Sequence, residues 1–162
     1  MDFDQQLKKA IARGSRSRET RDQAARHAAL TAEELRTLHA KYRLDLSEAI
    51  EDRLRKLADH FPGFEFETVL GSDGWGARIT RDDLKLAPRR QVASLYSRLE
   101  MVITPKGEAP IIELVAKATI GNKEAFNRRQ YQPLQDADMT VFEALINQWS
   151  VEYAELYAAQ RV

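Results

Sequence analysis

The residues best placed to do chemistry lie between 71 and 84, in the stretch GSDGWGARITRDDL. Its glycines and tryptophan could hold a ligand, and the adjacent Asp82 and Asp83 could act as general acid and base. A glycine loop that binds a dinucleotide opens a helix, whereas this one leads into the alternation typical of a strand. Adjacent residues of a strand point to opposite sides, so the two carboxylates cannot reach the same atom without a bend. Because a strand follows the glycines, we interpret residues 71–74 as a hairpin turn.

A small-ligand pocket is another interpretation of the same region. Gly76 falls inside the strand that follows the turn, and glycine weakens a strand unless another group must approach closely. Such a group could be a cross-strand aromatic ring or a ligand. The candidates for lining a pocket between the sheet and the C-terminal helix are Trp75, Gly76 and Tyr96.

Two basic segments could bind an anion, because the planar fork of arginine suits phosphate and carboxylate. One segment follows the second predicted strand and the other follows the fourth, so in an antiparallel meander both leave the same end of the sheet. The candidate anion-binding residues are Arg81, Arg89, Arg90, Lys123, Arg128 and Arg129. Alternatively, each cation pairs with a nearby carboxylate at the surface, where such a pair contributes about 0–1 kcal/mol.

The sequence excludes several kinds of catalytic and metal site. It contains no cysteine, which excludes a thiolate nucleophile, a disulfide and a cysteine-ligated metal. The histidines lack the spacing that places two metal ligands on one helical face. Neither a serine-nucleophile motif nor a phosphate-binding Gly-Lys-Ser/Thr loop occurs. We therefore predict no catalytic residue, no metal and no cofactor, and we do not favour an enzyme.

The elements that position these residues fit one domain, since the chain has 162 residues. Apolar residues recur at helical spacing as far as Phe61, alternate in three strands from Phe64 to about Thr104, occupy both faces of residues 111–120, and recur at helical spacing again from Thr140. This order predicts an α+β fold. We expect a four-stranded antiparallel sheet with N-terminal helices and a long C-terminal helix packed on one face.

Start and stop signals divide the N-terminal region into several short helices. Gly14 is expected to stop the first helix, Thr31 to open a capping box with Glu34, and either Asp45 or Ser47 to restart a helix. A second capping box at Thr140 and Glu143 is expected to open the C-terminal helix.

Residues 1–30 are expected to form a basic arm before a single α+β domain of residues 31–162. This arm holds seven basic and four acidic side chains, whereas residues 132–162 hold one basic and five acidic ones. Its apolar edge is too small to stabilise a free helix, so the arm is mobile unless it docks. The candidate partner-contact residues on that edge are Phe3, Leu7 and Ile11.

The sequence favours a soluble, non-catalytic interaction module that binds another protein or itself as a homodimer. One alternative is a nucleic-acid-binding protein that uses the basic arm and an arginine patch, although the net charge of zero weighs against it. The small-ligand pocket is the other alternative. An acidic start argues against a secretory signal, and no apolar run approaches the ~18 residues of a membrane span. We therefore expect a cytoplasmic location and no membrane partner.

Overall fold

The computed structural model describes the backbone of residues 2–87 and 91–160, and the side chains of these ranges except those of 27–30, 85–87 and 91–93. By its internal contacts the chain forms two compact units, with the division between Thr37 and Leu38. The elements in chain order are α1 (Phe3–His60), β1 (Glu65–Val69), β2 (Trp75–Ala87), β3 (Gln91–Ile103), β4 (Ile111–Ile120), β5 (Lys123–Pro133), a short 3-10 helix (Leu134–Asp136) and α2 (Met139–Gln160).

The strands form one antiparallel sheet of five strands, ordered as in the chain. This confirms the α+β class with an antiparallel sheet, whereas the predicted number of four strands is wrong. The additional strand is β5, which pairs with β4 across the turn at Gly121 and Asn122. Their φ angles are 55° and 69°. Positive φ at both residues is typical of the type I′ turn, which joins two strands directly.

Helix α1 is continuous, so the predicted breaks at Gly14 and Ser47 and the predicted helix start at Thr31 are wrong. A glycine inside a helix costs only about 1 kcal/mol relative to alanine, and no proline occurs between residues 3 and 60 to interrupt the hydrogen bonds. The hydroxyl of Ser47 donates to Leu44 O within the helix, at 3.0 Å, instead of capping a new one.

An aspartate caps each of the two helices. Asp2 Oδ1 accepts a hydrogen bond from the N–H of Gln5 at 2.8 Å, before α1. Asp138 Oδ1 accepts from the N–H of Thr140 at 2.9 Å, before α2. The predicted cap of α2 at Thr140 is therefore displaced, because Thr140 already lies inside the helix. Hydrogen bonds from the hydroxyl and N–H of Thr140 lower the pKa of Asp138.

Side chains alternate between two faces of the sheet, and residues paired directly across strands share a face. One face is apolar, and its fully buried side chains include Ile79, Leu99, Met101, Leu114 and Ala116. The other face carries Arg78 on β2, Glu100 on β3 and Lys117 on β4, which lie opposite one another in the register. We call it the charged face.

Helix α2 contacts the sheet through its tyrosines. Tyr153 Oη donates to Thr119 O of β4 at 3.0 Å, and burial raises the pKa of Tyr153. The ring of Tyr157 meets Phe61 and Phe64 edge to face, with ring centroids 4.9 and 5.0 Å apart. Such aromatic pairs stabilise beyond the area that they bury. These contacts hold the C-terminal part of α2 against β4 and the loop that follows α1.

Candidate functional site

The apolar edge of the arm is exposed. Every described arm side chain from residue 2 to residue 26 is exposed, and the exposed fractions of Phe3, Leu7 and Ile11 are 74%, 46% and 61%. Because these residues recur at intervals of four in α1, they lie on the same side of the helix. The structure therefore places all three predicted contact residues on one accessible stripe.

Basic side chains lie on the opposite side of the same segment. Lys9 and Arg16 are about half a turn round the helix from Leu7, since a helix has roughly 3.6 residues per turn. Arg13 lies about 240° round the helix from Leu7 and falls on the same basic side. Near its N-terminus the arm is thus an amphipathic helix whose apolar stripe is exposed, although such stripes normally face a protein core or a partner.

The predicted anion-binding residues do not form one cluster. Arg89 and Arg90 lie outside the described residues. Arg81 lies within β2, which continues past the position where the sequence analysis expected the strand to end. Its guanidinium donates to Asp83 Oδ1 and to Pro62 O, each at 2.7 Å.

The remaining three lie on β5, not in a connecting segment. Arg128 and Arg129 are adjacent on the strand and lie on opposite faces of the sheet. Arg128 forms a two-bond ion pair with Glu152 of α2, with Nη2 to Oε1 at 2.7 Å, and this pair lowers the pKa of Glu152. Arg129 pairs with Glu113 of β4 at 3.4 Å. Lys123 is exposed at the start of β5.

The three predicted pocket residues are not brought together. Trp75 pairs with Ile103 and Tyr96 with Asp82, at positions of β3 that are about 23 Å apart at roughly 3.3 Å per residue. The Trp75 ring instead lies beneath the guanidinium of Arg43, whose Cζ is 4.1 Å from the ring centroid.

Gly76 is required by its own sheet. A Cβ at this position would lie 2.0 Å from Met101 O of β3. The group that approaches the glycine closely is therefore the neighbouring backbone, and not a ligand or an aromatic ring.

Asp83 forms a polar junction at one end of the apolar face. Its Oδ2 accepts from Tyr157 Oη at 3.0 Å, and its Oδ1 accepts from Arg81 Nε at 2.7 Å. Asp82, which the sequence analysis considered together with Asp83, is exposed on the other side of β2. A small cavity of about 100 Å³ adjoins the junction, beside Ser97. The arrangement joins α2 to β2, and the described residues that line the cavity include no carboxylate other than Asp83.

A row of alternating charge on the charged face was not foreseen. It runs across four strands as Glu67, Arg78, Glu100 and Lys117, each opposite the next in the register. Each of these residues alternates with apolar or small neighbours in sequence, but only the pairing of the strands reveals the row. A sequence gives the alternation within a strand and not the register between strands.

No group of three His, Asp or Glu side chains within the described ranges is arranged to hold a metal ion. In the same part of the chain, every helix is too short or too polar to cross a bilayer. Comparison of the chain with protein-family models, with curated proteins and with solved structures finds no match. The surfaces of the chain itself therefore carry the functional inference.

Proposed function

We propose that this protein is a non-catalytic interaction module that binds another protein chain, or a second copy of itself, through the arm. The observation that carries this proposal is the exposure of Phe3, Leu7 and Ile11 on one stripe of α1. In this proposal residues 31–162 act as one folded domain, with α2 and the rest of α1 covering the apolar face of the sheet. The protein works in the cytoplasm.

Energetic considerations support docking of the arm. Helices without tertiary contacts are marginal in water, and most helical stability in proteins comes from packing of an apolar face. Fully burying a side chain such as Phe, Leu or Ile stabilises by roughly 1.5–3 kcal/mol. Three such residues on one stripe are therefore enough to hold the arm against a complementary surface.

A nucleic-acid partner is the second candidate, because the basic side chains of the arm are exposed as well. The arginine patch gives it less support, since the described candidates Arg81, Arg128 and Arg129 each pair with a carboxylate. Phosphate contacts make binding strongly dependent on salt, whereas apolar docking weakens only modestly with salt. Titration of RNA and of DNA at two salt concentrations distinguishes a nucleic-acid partner from a protein partner. If neither RNA nor DNA binds at low salt, the nucleic-acid candidate is excluded.

The stripe is tested by a triple substitution, Phe3→Ser with Leu7→Ser and Ile11→Ser, in the full-length chain. The matched control replaces Gln5 and Gln6 by serine on the same segment. Light scattering over a range of concentrations gives the mass, and urea unfolding gives the stability. If the full-length protein is a dimer and the triple variant a monomer, the stripe is a self-association surface.

Two other outcomes are equally informative. Unchanged mass with lowered stability in the triple variant indicates that the stripe docks within its own chain, which contradicts the proposed partner site. If the triple variant matches the wild type in mass and stability, self-association through the stripe is excluded, and the stripe remains accessible to a different protein.

A further inference from the structure

A groove of about 340 Å³ lies on the charged face of the sheet. Its lining comes from strands β1 to β5 and the loops between them. Buried valines line its floor, namely Val69, Val102 and Val115, with exposed fractions of 7%, 7% and 4%. Four cations and two carboxylates stand round this floor, namely Arg78, Arg98, Lys117, Arg129, Asp73 and Glu100. The groove thus combines an apolar floor with a cationic rim, and its size is that of a small-molecule site.

Several cations share the carboxylate of Glu100. Arg98 Nη2 lies 2.7 Å from Glu100 Oε1, and Arg78 Nη1 lies 3.6 Å from the same oxygen. Lys117 is directly opposite Glu100 in the register, and it forms no ion pair with any residue that the structure describes. Glu100 is thus shared by three cations, of which Arg78 also pairs with Glu67 at 3.1 Å, and Asp73 is the other carboxylate that lines the groove.

Unused hydrogen-bond donors lie at the same place. The Nε atoms of Arg98 and of the neighbouring Arg78 are buried and have no hydrogen-bond acceptor within the described chain. Buried donors in proteins are nearly always paired, so the chain leaves the hydrogen bonding of these two guanidinium groups incomplete. The guanidinium of Arg98 is only partly exposed, at 32%, and it borders the valine floor.

We propose that the groove binds a small organic acid, whose single carboxylate accepts hydrogen bonds from Arg98 and Lys117 and whose apolar body lies on the valines. A carboxylate gives Lys117 the ion-pair partner that the described chain does not supply, and its geometry matches the fork of a guanidinium. The apolar floor selects an acid with a hydrocarbon chain over a bare inorganic anion. This inference is independent of the arm, since no arm residue lines the groove.

The test uses the full-length protein labelled with nitrogen-15 and hexanoate as the probe. We expect dose-dependent shifts in the amide signals of Val102, Val115 and Lys117. Acetate, which has the carboxylate without the chain, and hexanamide, which has the chain without the charge, should each bind at least tenfold more weakly.

Lys117→Gln is the decisive variant, because this exposed side chain makes no described ion pair and its loss should leave the fold intact. It should weaken hexanoate binding about tenfold, and Arg98→Gln should do the same. Lys123→Gln, a lysine of the same sheet outside the groove, is the matched control and should bind hexanoate like the wild type. Each of three results overturns the proposal: no shifts with hexanoate, equal shifts with hexanamide, or tighter binding of inorganic phosphate than of hexanoate.

Discussion

Among single residues, Asp83 joins parts of the folded unit that are far apart in the sequence. Its carboxylate accepts from Tyr157 of α2 and from Arg81 of β2, and Arg81 also donates to Pro62 O after α1. Side chains that share hydrogen bonds in this way influence one another, and a double-mutant cycle separates their contributions.

We predict that Tyr157→Phe lowers the free energy of unfolding by about 1.5–3 kcal/mol, because it removes a hydrogen bond to a charged group. Combined with Asp83→Asn, it should give a coupling free energy of at least about 0.5 kcal/mol. Urea unfolding of the four proteins measures both quantities. Tyr131→Phe is the control, since Tyr131 is 60% exposed. Purely additive effects would show that the two side chains act separately.

A second residue-scale prediction concerns pH. His39 is buried, with 4% of its surface exposed. Burial lowers its pKa from 6.5, and the nearby charges of Arg43 and Lys106 act in the same direction, while a hydrogen bond to the Thr104 backbone opposes them. Below pH 6.5 the unfolded chain therefore takes up a proton at this histidine more readily than the folded protein does.

The stability that His39 contributes is thus complete above pH 6.5 and falls as the pH drops from there through the folded pKa. We expect the free energy of unfolding to decline between pH 7.5 and 5.5, and His39→Gln to flatten this decline. Urea unfolding across this range provides the measurement. His60→Gln, at an exposed position, should keep the wild-type slope. An unchanged slope in His39→Gln would mean that other groups cause the pH dependence.

At the scale of elements, the pairing of β2 with β3 depends on Gly76. We predict that Gly76→Ala is severely destabilising, by several kcal/mol, since the added Cβ would lie 2.0 Å from Met101 O and the strands must separate to admit it. Gly107→Ala is the control, because a Cβ there meets nothing within 4 Å. Thermal unfolding compares them. Nearly equal melting temperatures would refute the close approach.

Helix α2 offers a second test at this scale. Trp149 is 5% exposed on its buried side, and truncation of a core tryptophan to alanine typically costs about 3–5 kcal/mol. We therefore predict a loss of that size for Trp149→Ala. Val151→Ala, on the exposed side at 66%, should change stability by less than about 0.5 kcal/mol. A loss below about 1 kcal/mol for Trp149→Ala would mean that this side of the helix is not core.

The elements differ in how far their sequence determines them. The turn at 71–74 and the apolar strand β4 are predicted well, because turn glycines and continuous apolar runs act locally. β5 is missed, since an edge strand with polar residues has no clear alternation, although Gly121 and Asn122 mark its turn. The breaks in α1 are wrong because stop signals are weak preferences that a continuous helix can override. Arg128 pairs with Glu152 of α2, which is far away in the sequence. Local sequence patterns do not specify such a contact.

For the whole molecule, the arm and the folded unit should differ in local stability. Residues 5–25 form a segment of α1 whose side chains are all exposed, whereas Leu46, Ile50 and Leu54 of the same helix are fully buried. We predict that amide hydrogen exchange in the arm of the free monomer is faster by at least about a hundredfold than at these three residues. Mass spectrometry after deuterium labelling reads both regions in one experiment.

Protein concentration provides the control for this prediction. If the arm docks on a second copy, its exchange slows as the concentration rises, while exchange at Leu46, Ile50 and Leu54 stays constant. If arm amides exchange as slowly as the buried part of α1 at every concentration, the arm is stabilised without a partner.

The row of alternating charge also affects whether the strands pair in the correct register during folding. A shift of β2 by two residues along β3 keeps every side chain on its own face, so the apolar pattern alone does not prevent it. In one direction that shift places Arg78 opposite Arg98, and the equivalent shift between β3 and β4 places Lys117 opposite Arg98. Like charges directly opposite each other destabilise a pairing. Arg98 therefore destabilises these shifted pairings of β3 during folding. Measurements on the folded protein alone do not detect this contribution.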